Sequence, residues 1–460
     1  MDANTFRERR KTLRAAVPGG AILIAGNDDP PRNYAANGYL FRQTSHFLYY
    51  AGTDLPGFAL VIAPDGEETL YGPAEDPDDL IWHGPHPVLA DHAAAAGIAR
   101  TAVMGGLGEA VAIYKAKGVA VRYLPPYRGS EEIALAARLN VPREAVAKGA
   151  CPELARAVAE QRSIKSDAEV AEMERALAVS AEMYDLALKI IKPGLREAEV
   201  AGAIQGVALC HDMPQSFLPI VSIHGEVLHN NTYRNVMKDG DLLVIDSGVE
   251  APPGYYCSDI TRTFPVSGRF TAQQRAIYEV VLASQTAVID RASPDVSNRD
   301  MHLLAARTIA KGLTDIGLMR GDPEEAVAAG AHALFFVHGL GHMIGVDVHD
   351  MEDLGDVVGY PPGEKRSTQF GLSFLRLAKK YKPGFCITVE PGVYFIPALI
   401  DRWAAEKRHA SFIDYAAVEK FRGLGGVRIE DDLLITASGC RVLGKPIPTA
   451  VADIESAMRR

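Results

Sequence analysis

Along the first 150 residues the apolar positions come in short runs of strand character: AILIAG at 21–26, FLYYAG at 47–52, GFALVIAP at 57–64 and ETLYG at 68–72. Gly/Pro turns separate them, and HPVLADHAAAAGI at 86–98 reads as a helix, so residues 1–160 are expected to form an α/β domain. The pattern then changes. RSIKSDAEVAEMERALAVSAEMYDLALKIIKPG begins at Arg162, with Ser166 and Glu169 at capping-box spacing and Val170, Met173, Leu177 and Met183 on one helical face. Pro193 and Gly194 end that helix, and the domain boundary is placed just before it, giving a second, α+β domain over 161–460. Further helices are predicted near 196–210, 272–291 and 299–317, alternating with strand-like blocks at 241–249, 258–266, 385–395 and 426–436.

One phrase occurs twice. KDGDLLVIDSGV starts at Lys238 and KPGFCITVEPGV at Lys382, and each closes a β-rich apolar run on an acid, Asp246 or Glu390. Such internal repetition predicts two related half-domains facing each other across a cleft. Each copy is followed by another acid-bearing strand, CSDITRTFPV with Asp259 and GGVRIEDDLLIT with Glu430 flanked by Asp431 and Asp432. A turn through EAPPGYY folds the first pair into a hairpin, setting Asp246 beside Asp259. Taken singly, either acid reads more readily as a hairpin residue on a solvated edge than as a ligand. If the four converge, each raises the others' pKa unless cations neutralise them, and two divalent ions carry the opposite charge.

The block FFVHGLGHMIGVDVHD adds His338, His342 and His349 among Gly339, Gly341 and Gly345, which permit close backbone approach. A lone histidine on an apolar face is usually a core residue, but three among glycines are hard to assign to packing, and His342 is taken as a ligand. Four carboxylates and one imidazole form a hard set suited first to Mn²⁺, with Co²⁺, Fe²⁺ and Zn²⁺ also admissible.

Composition narrows the remaining classes. With 460 residues, 48% hydrophobic and 23% charged, the chain has the make-up of a two-domain globular protein. A formal charge of -10 disfavours a nucleic-acid partner. The charged N-terminus and the lack of a long apolar run predict neither a leader nor a membrane span, and five scattered cysteines without a C-x-x-C pair predict reduced thiols, hence a cytoplasmic location. Gly106 and Gly108 resemble the start of a dinucleotide loop, but Val111 stands at the third glycine position and no helix-opening context is evident.

The runs DSGVEAPPGYYCSDITRTFPVSG, HGLGHMIGVDVHD, TVEPGVYF and GGVRIEDD resemble, in order, the metal-binding blocks of the pita-bread metallopeptidases of family M24, in the proline-specific branch of prolidase and aminopeptidase P. FRQTSHFLYYAGTDLPGFALVIA and RSIKSDAEVAEM resemble that branch's N-terminal domain and the entry to its catalytic domain. The resemblance implies a pita-bread catalytic domain with an internal pseudo-twofold repeat and two divalent ions held by Asp246, Asp259, His342, Glu390 and Glu430, the same five that the charge reading selects. It also implies a metal-bridging hydroxide as nucleophile, Glu390 as the proton carrier to the leaving imino nitrogen, His229 and His349 bracketing oxyanion and substrate, and His338 and Arg428 on the leaving side. Without geometry, a loop histidine and a turn histidine remain the plain readings of His229 and His349.

Within the branch, Arg376 in GLSFLRLAKKYKPG matches an arginine that prolidases set near the free carboxylate of a C-terminal proline, and the insertion YFIPALIDRWAAEKRHASFIDYAAVEKFRGLGG also resembles prolidase. A solvated basic patch with Lys379, Lys380 and Lys382 is the alternative for Arg376. Cleavage of Xaa-Pro dipeptides is therefore expected, with aminopeptidase P and a non-catalytic binding module as rivals. The resemblance further implies a homodimer in which Trp82 reaches the partner's site as a lid; a partly buried structural tryptophan is the other reading. One departure stands out: Phe217 occupies the region where proline-specific relatives carry a tyrosine that hydrogen-bonds a metal-binding aspartate.

Overall fold

Ser166 caps the helix Asp167–Ile190 by accepting from the Glu169 N–H, while the Glu169 carboxylate accepts from the Ser166 N–H, the reciprocal box that their spacing predicts. The computed structural model describes residues 1–34 and 36–459. Its chain divides into two units, one of Met1–Arg162 with Pro253–Tyr255 and Met351–Val358, the other of Ser163–Pro252, Tyr256–Asp350 and Gly359–Arg460. Among the described residues no helix is long and apolar enough to cross a membrane, and none of the five cysteines is in a disulfide.

The first unit is built on a five-stranded mixed sheet of β1 (Gly20–Ala25), β2 (Ala59–Ile62), β3 (Glu68–Gly72), β4 (Arg100–Val103) and β5 (Ala120–Tyr123), in the order β4-β3-β2-β1-β5. FLYYAG, read as a strand from its aromatic content, is instead the helix Ser45–Ala51. The Thr44 side chain accepts from the Phe47 N–H, and Gly52 at φ 72° closes the other end, so both termini are capped and local propensity is overridden. A helix, Leu107–Ala116, does follow β4 beside Gly106 and Gly108, contrary to the sequence reading. Val111 on it is buried in the core with Leu23, Val61 and Leu107.

The second unit carries two three-stranded antiparallel sheets. One joins β6 (Ile220–Ser222), β7 (Leu242–Ser247) and β10 (Ile260–Pro265) in the order β10-β7-β6, with the short ribbon β8 (Glu250–Ala251) and β9 (Tyr256–Cys257) inside the β7–β10 connection. The other joins β11 (Cys386–Val389), β14 (Asp431–Ile435) and β15 (Cys440–Val442), and β12 (Gly392–Tyr394) pairs with β13 (Gly426–Arg428). A helix pair accompanies each half: Asp167–Ile190 packs on Glu197–Cys210, and Ala272–Arg291 on Asn298–Asp315. β7, β10 and β11 are buried throughout their length, which is why they read as continuous apolar or Thr-rich runs rather than as alternating ones.

Two imidazoles lie wholly inside this unit. His302 and His332 have no exposed surface, none of their ring nitrogens has a hydrogen-bond partner among the described residues, and the rings meet edge to face at 6.3 Å with His302 stacked on Phe336. Burial lowers both, His332 to about 4 and His302 well below the ordinary 6.5. The folded state then refuses protons that the unfolded chain accepts, so the stability these groups leave intact above pH 6.5 is lost as pH falls toward 4, by up to about 1.4 kcal/mol per pH unit for each. Thermal melts of wild type and His332→Leu between pH 7 and 4.5 should show a shallower decline in the variant; parallel curves would mean that His332 takes up its proton at the ordinary pH.

Candidate metal centre

Asp246 leaves β7 directly opposite Thr261 of β10, and Asp259 stands just before β10, so the hairpin puts the two acids on adjoining chain. Gly248 is required there: a Cβ would lie 1.8 Å from the Ser258 carbonyl oxygen. Thr261 ties this half to the other. It bridges Glu430 in antiparallel fashion, its carbonyl accepts from the Glu430 N–H at 3.0 Å, and its hydroxyl donates to Glu430 Oε2 at 2.6 Å.

In the second half the segment 340–343 lies along β11, with the Glu390 N–H donating to the Leu340 carbonyl at 2.8 Å. A Cβ on Gly341 would meet the Thr388 carbonyl oxygen at 2.0 Å, which explains a glycine just before His342. His342 Nδ1 faces the Met343 carbonyl at 3.0 Å and so carries the ring proton, leaving Nε2 as the basic atom. Nε2 points among the acids, 3.5 Å from Asp259 Oδ2 and 3.8 Å from Glu390 Oε1. His349 stacks on this ring, centroids 3.9 Å apart.

Asp259, His342 and Glu430 each offer a ligand atom within 4.8 Å of the others, and all three are buried. Burial, and then Asp246 and Glu390, push the Asp259 pKa well up; burial, and then Glu430, do the same to Glu390, and burial with Asp259 and Asp246 to Glu430. Among the described residues Asp246 Oδ1 and Asp259 Oδ1 are buried without a hydrogen-bond partner, a costly state for a carboxylate unless a cation takes the lone pairs. Oxygen-rich, negatively charged and under-satisfied, the group fits divalent metal.

Arg428 supplies a fixed positive charge. Its guanidinium donates to Asp246 Oδ2 at 2.5 Å, to Thr261 Oγ1 at 3.1 Å and to the Tyr394 hydroxyl at 3.0 Å. The Tyr394 hydroxyl also meets His338 Nε2 at 2.8 Å, while His338 Nδ1 meets the Gly339 carbonyl at 2.7 Å. Burial, followed by Arg428, lowers the His338 pKa to about 3, so this ring is neutral.

A cavity of about 460 Å³ is lined by every predicted site residue of the second unit, including His229, His338, His349, Arg376 and Arg428. His229 lines this cavity, and desolvation, then Arg428, lowers its pKa. Phe217, Leu218 and Phe374 make an apolar part of the wall. Trp82 belongs to the first unit, on the helix Asp79–His83, and is 78% exposed, which removes the reading of a partly buried structural tryptophan. Tyr394 and Thr261 escaped the sequence reading. Tyr394 sits in the run TVEPGVYF, but only its two hydrogen bonds single it out.

Against known proteins, the model of metallopeptidase family M24 matches residues 171–437, and that of the aminopeptidase P N-terminal domain matches residues 6–119. The Xaa-Pro dipeptidase of Homo sapiens is 33% identical over 98% of this chain and 91% of its own, and a probable Xaa-Pro aminopeptidase of Uncinocarpus reesii is 31% identical over 98% and 92%. An aminopeptidase of Pseudomonas aeruginosa superposes with a TM-score of 0.81 at 30% identity, covering 100% of this chain and 98% of that one. A variant of Escherichia coli aminopeptidase P in complex with substrate superposes with the same score and coverage at 28% identity. With both units matched and the acids gathered around His342, the chain belongs to metallopeptidase family M24, an N-terminal domain of the aminopeptidase P type preceding a pita-bread catalytic domain.

Proposed function

We propose that this protein is a dinuclear Xaa-Pro dipeptidase. The observation that carries the reading is the presence of Arg376 in the wall of the cavity that holds the acid cluster, beside His229, His338 and Glu390 in the same lining. A dipeptide's C-terminal carboxylate lies one residue beyond the scissile bond, and a guanidinium there forms a charge-assisted pair that the amide of a longer peptide cannot match. Likeness to the human Xaa-Pro dipeptidase over nearly the whole chain supports the same choice.

Asp246, Asp259, His342, Glu390 and Glu430 would hold two divalent cations, with Mn²⁺ best suited to the donor set. Such ions polarise the scissile carbonyl and supply a nucleophile at neutral pH. The protein's own groups do the rest. Glu390, partly open to the cavity, accepts the proton of the attacking water and hands it to the proline nitrogen, which has no N–H and must be protonated as it leaves. His229 and His349 donate to the developing oxyanion and hold the substrate in register. The protein acts as a homodimer in the cytoplasm, with Trp82, exposed on its helix, as the residue offered to the partner.

Aminopeptidase P is the second reading, favoured by the structural neighbours of that name. Product analysis on Ala-Pro and Ala-Pro-Ala with Mn²⁺ separates the two: the dipeptide should be the better substrate, and a preference for the tripeptide would transfer the protein to the aminopeptidase class. Arg376→Ala should cost roughly 1.5–3 kcal/mol, or about one to two decades of kcat/KM on Ala-Pro, with a smaller change on Ala-Pro-Ala. Arg376→Lys should recover only part, because it lacks the planar fork. An equal fall on both substrates would make Arg376 structural.

Removal of ligands has its own signature. His342→Ala and Glu430→Ala should each abolish turnover and leave fewer than two ions per chain by elemental analysis. Full metal content with wild-type rates in either variant would sink the dinuclear assignment.

A further inference from the structure

Two polar residues that no step above uses face each other across one rung of the β11–β14 ladder: Thr388 pairs with Asp432, and both are wholly buried. Each stands two residues from an acid of the cluster, Thr388 before Glu390 and Asp432 after Glu430. Alternation along a strand sends Glu430 and Asp432 one way and Asp431 the other, and Asp431 is accounted for by Arg262 at 2.7 Å and Gln285 at 2.9 Å. Among the described residues nothing comparable neutralises Asp432. Its Oδ1 is buried without a partner, and its Oδ2 accepts from the Asp259 main-chain N–H at 3.1 Å. Across the rung, Thr388 Oγ1 accepts from the His342 main-chain N–H at 3.1 Å, while the Thr388 N–H donates to the His342 carbonyl at 3.0 Å.

One cross-strand pair thus grips the backbones of His342 and Asp259, whose side chains come within 3.5 Å of each other and share a cluster with Glu430. A buried carboxyl with a single hydrogen bond is expensive, and an apolar β-branched residue would serve the strand better, so packing does not explain Asp432. We propose that Thr388 and Asp432 are positioning residues, a clip that fixes the spacing between His342 and Asp259 before a cation arrives. This rests on the metal reading above and adds to it the element that pre-organises the site.

The test is Mn²⁺ binding to metal-stripped protein by calorimetry, alongside thermal melts of the same metal-free samples. Thr388→Val, which removes only the hydroxyl, and Asp432→Val should each weaken the tighter Mn²⁺ site by about 10–100-fold. Thr388→Ser should restore most of the affinity. Asp432→Asn keeps an acceptor oxygen and should bind much more tightly than Asp432→Val, whereas an equal loss in the two would make the carboxylate's charge the agent and overturn the clip. Because Thr388 and Asp432 hold the two members of one ligand pair, His342 and Asp259, the double Val variant should lose less than the product of the single losses. Lower melting with wild-type Mn²⁺ affinity in the Val variants, or failure of serine to rescue, would also overturn it. Should Asp432→Val not fold, the Thr388 pair of variants decides alone. Wild type that takes up no Mn²⁺ would instead remove the metal reading itself.

Discussion

Four carboxylates, Asp246, Asp259, Glu390 and Glu430, are brought into one cavity, and like charges at such range cannot all ionise in a protein interior without a compensating cation. Arg428 answers part of this demand through Asp246, but Asp259, Glu390 and Glu430 are still pushed well up in pKa. Protonation and cation binding are then competing answers to one excess of charge. Any cation that enters expels protons, which ties affinity to pH and to the folding of both halves of the unit.

The backbone is arranged to serve that cluster. Both copies of the repeated phrase place a glycine two residues beyond the acid, Gly248 and Gly392, and neither has room for a side chain: a Cβ would lie 1.8 Å from the Ser258 carbonyl oxygen or 2.4 Å from the Tyr394 hydroxyl. Thr261 links the halves through main chain and hydroxyl alike, so Glu430 is held by the strand that follows Asp259. The two halves are therefore coupled covalently only at a distance but physically at the acids themselves.

Much of this was legible in the chain. A strand ending in a charge must answer for it, and that requirement picks out Asp246 and Glu390 before any coordinates; three histidines among glycines pick out the segment of His342. The capping box at Ser166 and the helices after it are local features, readable from spacing. What stayed hidden depends on distant chain. Tyr394 matters because His338 and Arg428 converge on its hydroxyl, and Thr388 and Asp432 matter because of a ladder register, none of which leaves a local mark. FLYYAG misled because its aromatic content suits a strand, while Thr44, three residues before it, and Gly52, its last residue, cap a helix. Likewise, no composition signal tells that Pro253–Tyr255 and Met351–Val358 group with the first unit.

A difference in burial explains why the chemistry is easier to read than the substrate. The cluster is interior, so each residue in it answers to strict rules of charge and hydrogen bonding, and few residue types satisfy them. Leu218, Phe374 and Arg376 line the same cavity but are exposed, where many side chains are tolerated and no desolvation cost constrains the choice. The interior cluster is thus held to a few residue types while Leu218, Phe374 and Arg376 answer to no such rule, and likeness to Xaa-Pro dipeptidases and to Xaa-Pro aminopeptidases coexists in one chain.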